Sequence, residues 1–289
     1  MPRHSQRSRT RRRNRGRFGP LFKLLCVLTV VVALTVGATV FFRVEVVTVT
    51  GNQRYTQEEI VAASGIEVGD NLYSLNKVRI NQNIRTTLPY IGDLTINRSL
   101  PSTIVITVTE WEAVAQIAVP DPERVAALQQ ELAQQAGEGE EAPVLAAAQE
   151  PWLISMKGKL LEPAAPDSAA ITVTGLTPLA PQAGSMLEVP EEEQTRLEAL
   201  TALLEALGGA GIQSQVSSVQ LESTYLSLRY AERFDVKMEL NADFAYNVRL
   251  MQSIRKEMEA KDGEDAAGAM DLTRSPAVYS PAQNQQISP

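Results

Sequence analysis

The sequence predicts an α+β protein in which one N-terminal transmembrane helix precedes two folded units that lie outside the membrane. Residues 24–42 form a stretch without formal charge, which predicts the transmembrane helix. Residues 43–113 show a β-α-α-β-β pattern, and residues 114–275 combine alternating strands with two amphipathic helices. Strands and helices that occur in separate runs are typical of α+β folds.

The uncharged stretch has the length of a membrane span. Lys23 and Arg43 bracket 19 residues, which as a helix extend over roughly 28 Å, close to the hydrocarbon thickness of a bilayer. A cleaved signal peptide is the alternative, because Val36-Gly37-Ala38 resembles a small-residue cleavage site. The apolar run continues to Phe42, however, and this favours a retained anchor.

Charge predicts the orientation of the chain. Residues 1–23 carry nine cationic residues and no acidic one, whereas the chain from Leu24 onward carries 18 cationic and 34 acidic residues, a net charge of −16. Since basic residues beside a span stay in the cytoplasm, residues 1–23 form a basic cytoplasmic tail that also contacts anionic lipid. Nucleic acid is not an expected ligand, because the arginine run has no interleaved aromatic residues.

The cysteine and histidine counts exclude several kinds of chemistry. The only cysteine, Cys26, lies in the predicted span, and the only histidine, His4, lies in the basic tail. The outer body therefore has no disulfide, no Cys or His nucleophile, and no Cys or His metal ligand. We expect no cofactor and no metal.

The remaining candidates for catalysis are carboxylates and Ser/Lys pairs. Glu58-Glu59 and Glu191-Glu192-Glu193 lie at predicted helix starts, where negative charge stabilises the helix dipole. Ser155 with Lys157, in a predicted turn, and Ser74 with Lys77, on an exposed helix face, do not form a credible catalytic pair. The sequence therefore predicts that the protein is not an enzyme.

The first outer unit has clear start and stop signals. Alternating residues predict a strand that ends at Gly51-Asn52, and Thr56-Gln57-Glu58-Glu59 is a capping box that starts a short helix. A second helix begins near Ser74 or Asn76 and is terminated by Pro89. Two strands follow, around Leu94 to Ile96 and over Thr103 to Thr109.

The second outer unit contains an irregular segment, residues 121–150. Asp121 is a plausible N-cap with Pro122 behind it, but the pattern dissolves into Gly137-Glu138-Gly139. This segment predicts an insertion at the edge of the domain, made of a helix and a flexible loop and largely solvated. Deleting it is expected to shift the unfolding midpoint by only a few degrees.

The rest of the second unit predicts a β-rich domain with two flanking helices. Phe234, Val236, Met238 and Leu240 alternate with polar residues, and Asp243 caps a final helix. Residues 268–273 predict a short terminal strand, and residues 276–289 a flexible C-terminal tail.

Several segments resemble one protein family in their order and spacing. They are Phe42 to Asn52, the capping box, Leu88-Pro89-Tyr90-Ile91, Arg98 to Thr103, and Val108-Thr109-Glu110. Together with the basic head and single span, they resemble the POTRA domain of the bacterial cell-division family FtsQ, called DivIB in Gram-positive bacteria. The resemblance extends to about residues 20–280, apart from the insertion.

The resemblance implies a function and partners. It implies a non-catalytic, single-pass scaffold of the divisome in the bacterial cell membrane, located at the division septum, with a cytoplasmic N-terminus. The implied partners are FtsB/DivIC-like and FtsL-like division proteins and the septal peptidoglycan synthase complex. The alternative is a POTRA-containing component of protein translocation or outer-membrane assembly, which is expected to carry repeated POTRA units or many barrel strands; a wall hydrolase lacks a catalytic constellation.

The resemblance also implies where the partner binds. In the family the C-terminal strand edge holds the FtsB/DivIC partner, and an exposed edge can accept a partner strand through main-chain hydrogen bonds. Carried over to this sequence, the partner-binding residues are Asp271, Leu272, Thr273, Arg274, Ser275 and Tyr279.

Overall fold

The computed structural model describes residues 18–135, 146–274 and 276–281. The chain begins in this structure with helix α1, Phe18–Phe41, whose large apolar side chains are exposed. The hydroxyls of Thr29 and Thr35 donate to carbonyls one turn earlier, so these polar groups are satisfied within the helix. Within the described ranges, no helix meets the length and apolarity required to cross a membrane.

The first domain has the predicted β-α-α-β-β order. Its elements are β1 (Val46–Thr50), α2 (Gln57–Ser64), α3 (Lys77–Thr87), β2 (Ile91–Ser99) and β3 (Thr103–Glu110). β3 is the central strand of a three-stranded sheet, parallel to β1 and antiparallel to β2.

The helix caps form as the sequence predicts. The Thr56 hydroxyl accepts a hydrogen bond from the Glu59 amide, and the Glu59 carboxylate accepts one from the Thr56 amide. The hydrogen bonds that the Glu59 carboxylate accepts from the Thr56 amide and hydroxyl hold the pKa of Glu59 below its usual value. Asn76 caps α3 by accepting from the amides of Val78 and Arg79.

The core of this domain lies between its helices and one face of its sheet. Ile104, Ile106 and Val108 of β3 are buried and pack with Ile60 and Ile84 of the two helices.

The turn after β1 depends on Gly51, which has a φ of +87°. A Cβ at this position would lie 2.1 Å from the Val108 carbonyl oxygen of β3, so only glycine fits there. Glu110, at the end of β3, then accepts hydrogen bonds from the amides of Gln53, Arg54 and Tyr55 and fixes the turn.

The second domain is a nine-stranded sheet with helices. Its elements are β4 (Ala115–Ile117), α4 (Pro122–Gln135), β5 (Trp152–Ile154), β6 (Leu160–Pro163), β7 (Ile171–Thr174), α5 (Gln194–Ala210), β8 (Val216–Leu221), β9 (Tyr225–Tyr230), β10 (Phe234–Glu239), α6 (Phe244–Asp262), β11 (Gly268–Asp271) and β12 (Val278–Pro281). The strand order is β12-β11-β10-β9-β8-β7-β4-β5-β6.

Helices α5 and α6 share one apolar core with the sheet. Leu200 and Leu204 of α5 and Met251 of α6 are fully buried, together with Phe234 and Val236 of β10. Asp243 caps α6 by accepting from the Tyr246 amide, as predicted. Helix α5 ends at Ala210 with Gly211 in the left-handed conformation, slightly later than the Gly208-Gly209 stop that the sequence predicts.

Helix α4 packs more tightly than the sequence suggests. Asp121 lies at its start and accepts from the Glu123 amide, as expected. However, Leu128 is only 8% exposed, and the Arg124 guanidinium reaches the fully buried Glu193 carboxylate at 2.6 Å. The helix is mostly exposed, as expected for residues 121–150, but it has a structural role, because Arg124 neutralises the buried Glu193 carboxylate. Gly137-Glu138-Gly139 lie outside the described residues.

The C-terminal segment differs from the prediction. Residues 278–281, expected in a flexible tail, form strand β12, which pairs antiparallel with β11. The strand that ends at Asp271 is thus not the last of the sheet. β11 lies between β10 and β12. Its outer side is therefore already paired with β12 and is not an open edge.

Polar side chains join the two domains. The Glu162 carboxylate of β6 accepts from the Tyr90 hydroxyl at 2.5 Å and from the Arg54 guanidinium at 3.1 Å. The same guanidinium stacks 3.7 Å from the centre of the Tyr90 ring. The buried ammonium of Lys159 donates to the Ile91 carbonyl at 2.8 Å. The first domain is therefore held against β6.

Lys159 gives this junction a measurable pH dependence. Desolvation, with a contribution from nearby Arg85, lowers the pKa of Lys159 from 10.5 to about 8. The unfolded chain then binds one more proton than the folded chain between these pH values, so the free energy of unfolding rises with pH. The pKa values of Tyr55 and Tyr90 are raised above 10 by burial, and they oppose this rise only above pH 10.

We expect the free energy of unfolding to increase between pH 8 and about 9.5, by up to about 1.4 kcal/mol per pH unit. Lys159→Met should remove this increase, while Lys157→Met, at an exposed neighbour, should keep it. Urea unfolding midpoints across this pH range give the test. An unchanged pH slope in Lys159→Met would contradict the assignment.

Candidate partner-binding edge

One end of the nine-stranded sheet is closed by the chain itself. Strand β6 is followed outward by residues 184–186: the Leu160 amide donates to Ser185 O, and the Gly184 amide donates to Leu160 O. Lys159 and Met186 form an isolated bridge beside them. Since the first domain is held against the same strand, this end offers little room for an additional strand.

The outer strands of the small sheet also carry side-chain partners. The Val47 carbonyl of β1 accepts from the Gln57 amide group at 3.2 Å. The Ile96 carbonyl of β2 accepts from the Lys77 ammonium. Side chains that reach back to an edge in this way compete with a partner strand.

The remaining end of the large sheet is formed by β12. Which backbone groups of β12 point inward can be derived from β11. The amides of Gly268 and Leu272 in and after β11 donate toward β10, to Arg233 O and Lys237 O. Because successive residues of a strand point their backbone groups to opposite sides, Ala269 and Asp271 face β12.

Opposite these two residues lie Ser280 and Val278, which therefore bond inward to β11. Tyr279, between them, points its N–H and C=O away from the sheet. In the part of the chain that the structure describes, no strand pairs with this outer side. Pro281, which also faces outward, has no N–H to leave unpaired. The open edge is thus centred on the Tyr279 backbone.

The predicted partner-binding residues lie at two different places. Asp271 to Arg274 form the turn that leaves β11. The Asp271 carboxylate accepts from the hydroxyl and the amide of Thr273, at 2.6 and 3.1 Å, and pairs with Arg274 at 3.0 Å. These contacts, the Thr273 bonds first, lower the pKa of Asp271. Leu272 is 9% exposed, and Ser275 lies outside the described residues.

Among the predicted site residues that the structure describes, Tyr279 alone lies on the open edge. Its side chain folds back onto the domain, where the hydroxyl donates to Ala267 O at 2.9 Å and the ring lies 6.5 Å from that of Phe234. Burial raises the pKa of this hydroxyl. The side chain thus anchors β12, while the backbone of the same residue stays open outward.

Two of the carboxylates considered for catalysis, Glu59 and Glu193, have structural roles. Glu59 belongs to the capping box. Glu193 is fully buried and accepts from the Thr177 amide and hydroxyl, besides its contacts with Arg124 and Arg196. Over the described ranges, no group of three or more His, Cys, Asp or Glu residues has a metal-binding arrangement.

The Ser/Lys pairs likewise serve the fold. The Ser155 hydroxyl accepts from the amides of Lys157 and Lys159 in the turn before β6. Ser74 donates to Asn71 O.

Sequence reasoning missed β12 and the buried position of Glu193. Residues 278–281 offer only Val278 and Tyr279 as strand-forming residues between two prolines, which is too short for an alternating pattern. The available signal was Gly268, which is placed where a Cβ would lie 2.3 Å from Ser280 O. A glycine within a strand often marks the close approach of another backbone.

Comparison with known proteins identifies the first domain. Residues 42–111 match the model of the POTRA domain, FtsQ-type. The chain is 31% identical over 102 residues to the cell division protein FtsQ of Corynebacterium glutamicum, covering 35% of this chain and 46% of that protein. It is 38% identical over 77 residues to the cell division protein DivIB of Clostridium tetani, covering 27% of this chain and 29% of that protein.

A third relative is the cell division protein DivIB of Brevibacillus brevis, 28% identical over 118 residues, or 41% of this chain and 44% of that protein. The chain thus spans less than half the length of the curated relatives it matches. These relatives give no support to a role in translocation or outer-membrane assembly. The prediction of an FtsQ-type POTRA domain is confirmed, and over this part of its length the chain is similar to FtsQ and DivIB cell division proteins.

Proposed function

We propose that this chain is a non-catalytic scaffold of the bacterial divisome that captures an extended segment of a partner by β-strand addition at β12. The observation that carries the proposal is the open edge of the nine-stranded sheet, where the Tyr279 N–H and C=O point outward. Main-chain hydrogen bonds to such an edge give affinity, and side-chain pockets beside it give selectivity.

The partners that we propose are an FtsB/DivIC-like and an FtsL-like division protein, with the septal peptidoglycan synthase complex as a further contact. Relatives named as cell division proteins support a role at the septum. The roles found for Glu59, Glu193 and Ser155 support a scaffold without catalysis, since each of these groups is engaged in the fold.

We also propose that residues 24–42 anchor the chain in the cell membrane, with residues 1–23 in the cytoplasm and both domains outside. The uncharged stretch and the concentration of cationic residues before it support this orientation. So do the exposed apolar side chains of α1 and the hydroxyls of Thr29 and Thr35, which donate to carbonyls within the helix.

The test is expression of the full chain, tagged at its N-terminus, in dividing cells of its own species. We expect fluorescence at the septum and recovery of the FtsB/DivIC-like protein in a pull-down after membrane solubilisation. Protease added to spheroplasts should digest both domains and leave an N-terminal fragment. Uniform membrane fluorescence without recovery of a division protein would refute the divisome role.

A further inference from the structure

Exposed apolar side chains of the POTRA domain are confined to a few segments. Within residues 42–111 the large apolar side chains that are exposed are Val46, Val68, Tyr73, Val78 and Leu100, with 51% to 78% of their surface accessible. They come from the start of β1, the loop between α2 and α3, the first turn of α3 and the turn between β2 and β3.

Hydrogen bonds place these segments at the end of the domain where α1 enters. The Leu72 amide donates to Phe42 O at 2.9 Å, and the Val44 amide donates to Asp70 O at 2.7 Å. Both bonds tie the loop that holds Val68 and Tyr73 to the residues directly after α1.

The turn that holds Leu100 is tied to the same place, because the Glu45 amide donates to Ser102 O at 2.8 Å. Val78 follows the loop directly, in the first turn of α3. We call this surface, made of Val46, Val68, Tyr73, Val78 and Leu100, the POTRA base.

An aromatic path connects α1 with the POTRA base. The ring of Phe41, the last residue of α1, lies edge-on to that of Phe42, and Phe42 lies edge-on to Tyr73, each pair with centroids 5.2 Å apart. These ring contacts connect the last residue of α1 with Tyr73 of the POTRA base.

The charge of the POTRA base differs from that of the rest of the body. The cationic residues within three positions of its members in the sequence are Arg43, Lys77, Arg79 and Arg98, and the acidic residues are Glu45, Glu67 and Asp70. Two charges of each sign are engaged locally: Glu45 accepts from the Ser102 hydroxyl and Asp70 from the Glu67 amide, while Lys77 and Arg98 donate to backbone carbonyls. The base is thus slightly cationic, whereas the chain from Leu24 onward has a net charge of −16.

We propose that the POTRA base lies in the headgroup region of an anionic phospholipid bilayer, with Val68, Tyr73 and Leu100 inserted among the lipids. This inference rests on the proposed membrane anchor, which would bring the base to the bilayer surface. Tyrosine rings favour the membrane–water interface because one end is apolar and the other polar. Cationic residues around an apolar surface add attraction to anionic lipid. The contact would fix the tilt of the domain and hence the direction in which β12 faces.

The experiment measures the depth of single labelled positions in the full chain, reconstituted into vesicles of phosphatidylethanolamine and phosphatidylglycerol. Cys26→Ser provides a cysteine-free background, and an environment-sensitive fluorophore is attached at Val68→Cys or Tyr73→Cys. Tyr246→Cys is the matched control, because Tyr246 and Tyr73 are both 55% exposed. Val32→Cys, in α1, reports on the anchor. Lipids with a nitroxide at the headgroup or deep in the acyl chain quench the fluorophore.

We expect headgroup nitroxides to quench the labels at positions 68 and 73 severalfold more strongly than the label at 246, and deep nitroxides to quench the label at 32. Deep quenching at 32 without headgroup quenching at 68 and 73 would overturn the inference and leave the anchor intact. Absence of quenching at positions 32, 68 and 73 would refute both the membrane anchor and the inference about the POTRA base. Protection of positions 68 and 73 from aqueous iodide without nitroxide quenching would show that protein covers the POTRA base, which also overturns the inference.

Discussion

Replacing Tyr279 by proline is expected to abolish capture of the FtsB/DivIC-like partner while the chain remains folded. Proline removes the one N–H that faces outward from the centre of β12, and its ring occupies the space of the incoming strand. A lost backbone hydrogen bond alone accounts for about 1 kcal/mol. With the steric clash we expect the affinity to fall by at least about tenfold, or 1.4 kcal/mol.

Two variants separate the backbone of Tyr279 from its side chain. Tyr279→Phe keeps the N–H and loses only the hydroxyl bond to Ala267 O, so its affinity should stay near that of the unmodified chain. Ala277→Pro removes the neighbouring outward position and leaves the Tyr279 ring in place. Titration calorimetry of the full chain in nanodiscs with the partner segment gives the affinities. Unchanged binding by folded Tyr279→Pro and Ala277→Pro would place the docking surface elsewhere.

The second large effect is expected at Glu193. Its carboxylate is fully buried, with Arg124 at 2.6 Å, Arg196 at 3.7 Å and the Thr177 amide at 2.6 Å. Glu193→Gln keeps the shape of the side chain but leaves Arg196, 8% exposed, without its countercharge. Removing one partner of a buried ion pair costs about 3–5 kcal/mol.

The matched control is Glu192→Gln, because Glu192 is the exposed neighbour in the same acidic run. It should change the free energy of unfolding by less than about 0.5 kcal/mol. Urea unfolding of the two variants, followed by circular dichroism, makes the comparison. Equal midpoints for the two variants would show that the buried pair contributes nothing to stability.

Deletion of residues 121–150 should also destabilise the domain substantially, contrary to the sequence-based expectation, since it removes Arg124.

The POTRA domain was predictable because its elements are specified by local signals. The Thr56–Glu59 capping box, the Asn76 cap, Pro89 and the alternation along Thr103 to Thr109 each depend on residues close in sequence. Signals of this kind can be recognised from the sequence without knowledge of the tertiary structure.

The open edge and the buried ion pair were not predictable in the same way. Strand β12 forms because the outer side of β11 accepts it, and residues 278–281 have little strand preference of their own. Glu193 has the same residue type as its exposed neighbours, and its buried carboxylate is compensated by Arg124, 69 residues away, and by Thr177 and Arg196. The sequence consequently places the edge at Leu272 and Thr273, where proline would instead break the Leu272 bond to Lys237 O inside the sheet.

Residue-resolved hydrogen exchange of the full chain, with and without the FtsB/DivIC-like segment, tests β-strand addition most directly. The Tyr279 amide faces outward and should exchange fast in the free chain, whereas those of Val278 and Ser280 bond to β11 and should already be protected. Binding is predicted to slow exchange at Tyr279 strongly and at its two neighbours little. Unchanged exchange at Tyr279 in the bound chain, with new protection on another surface, would contradict capture at β12.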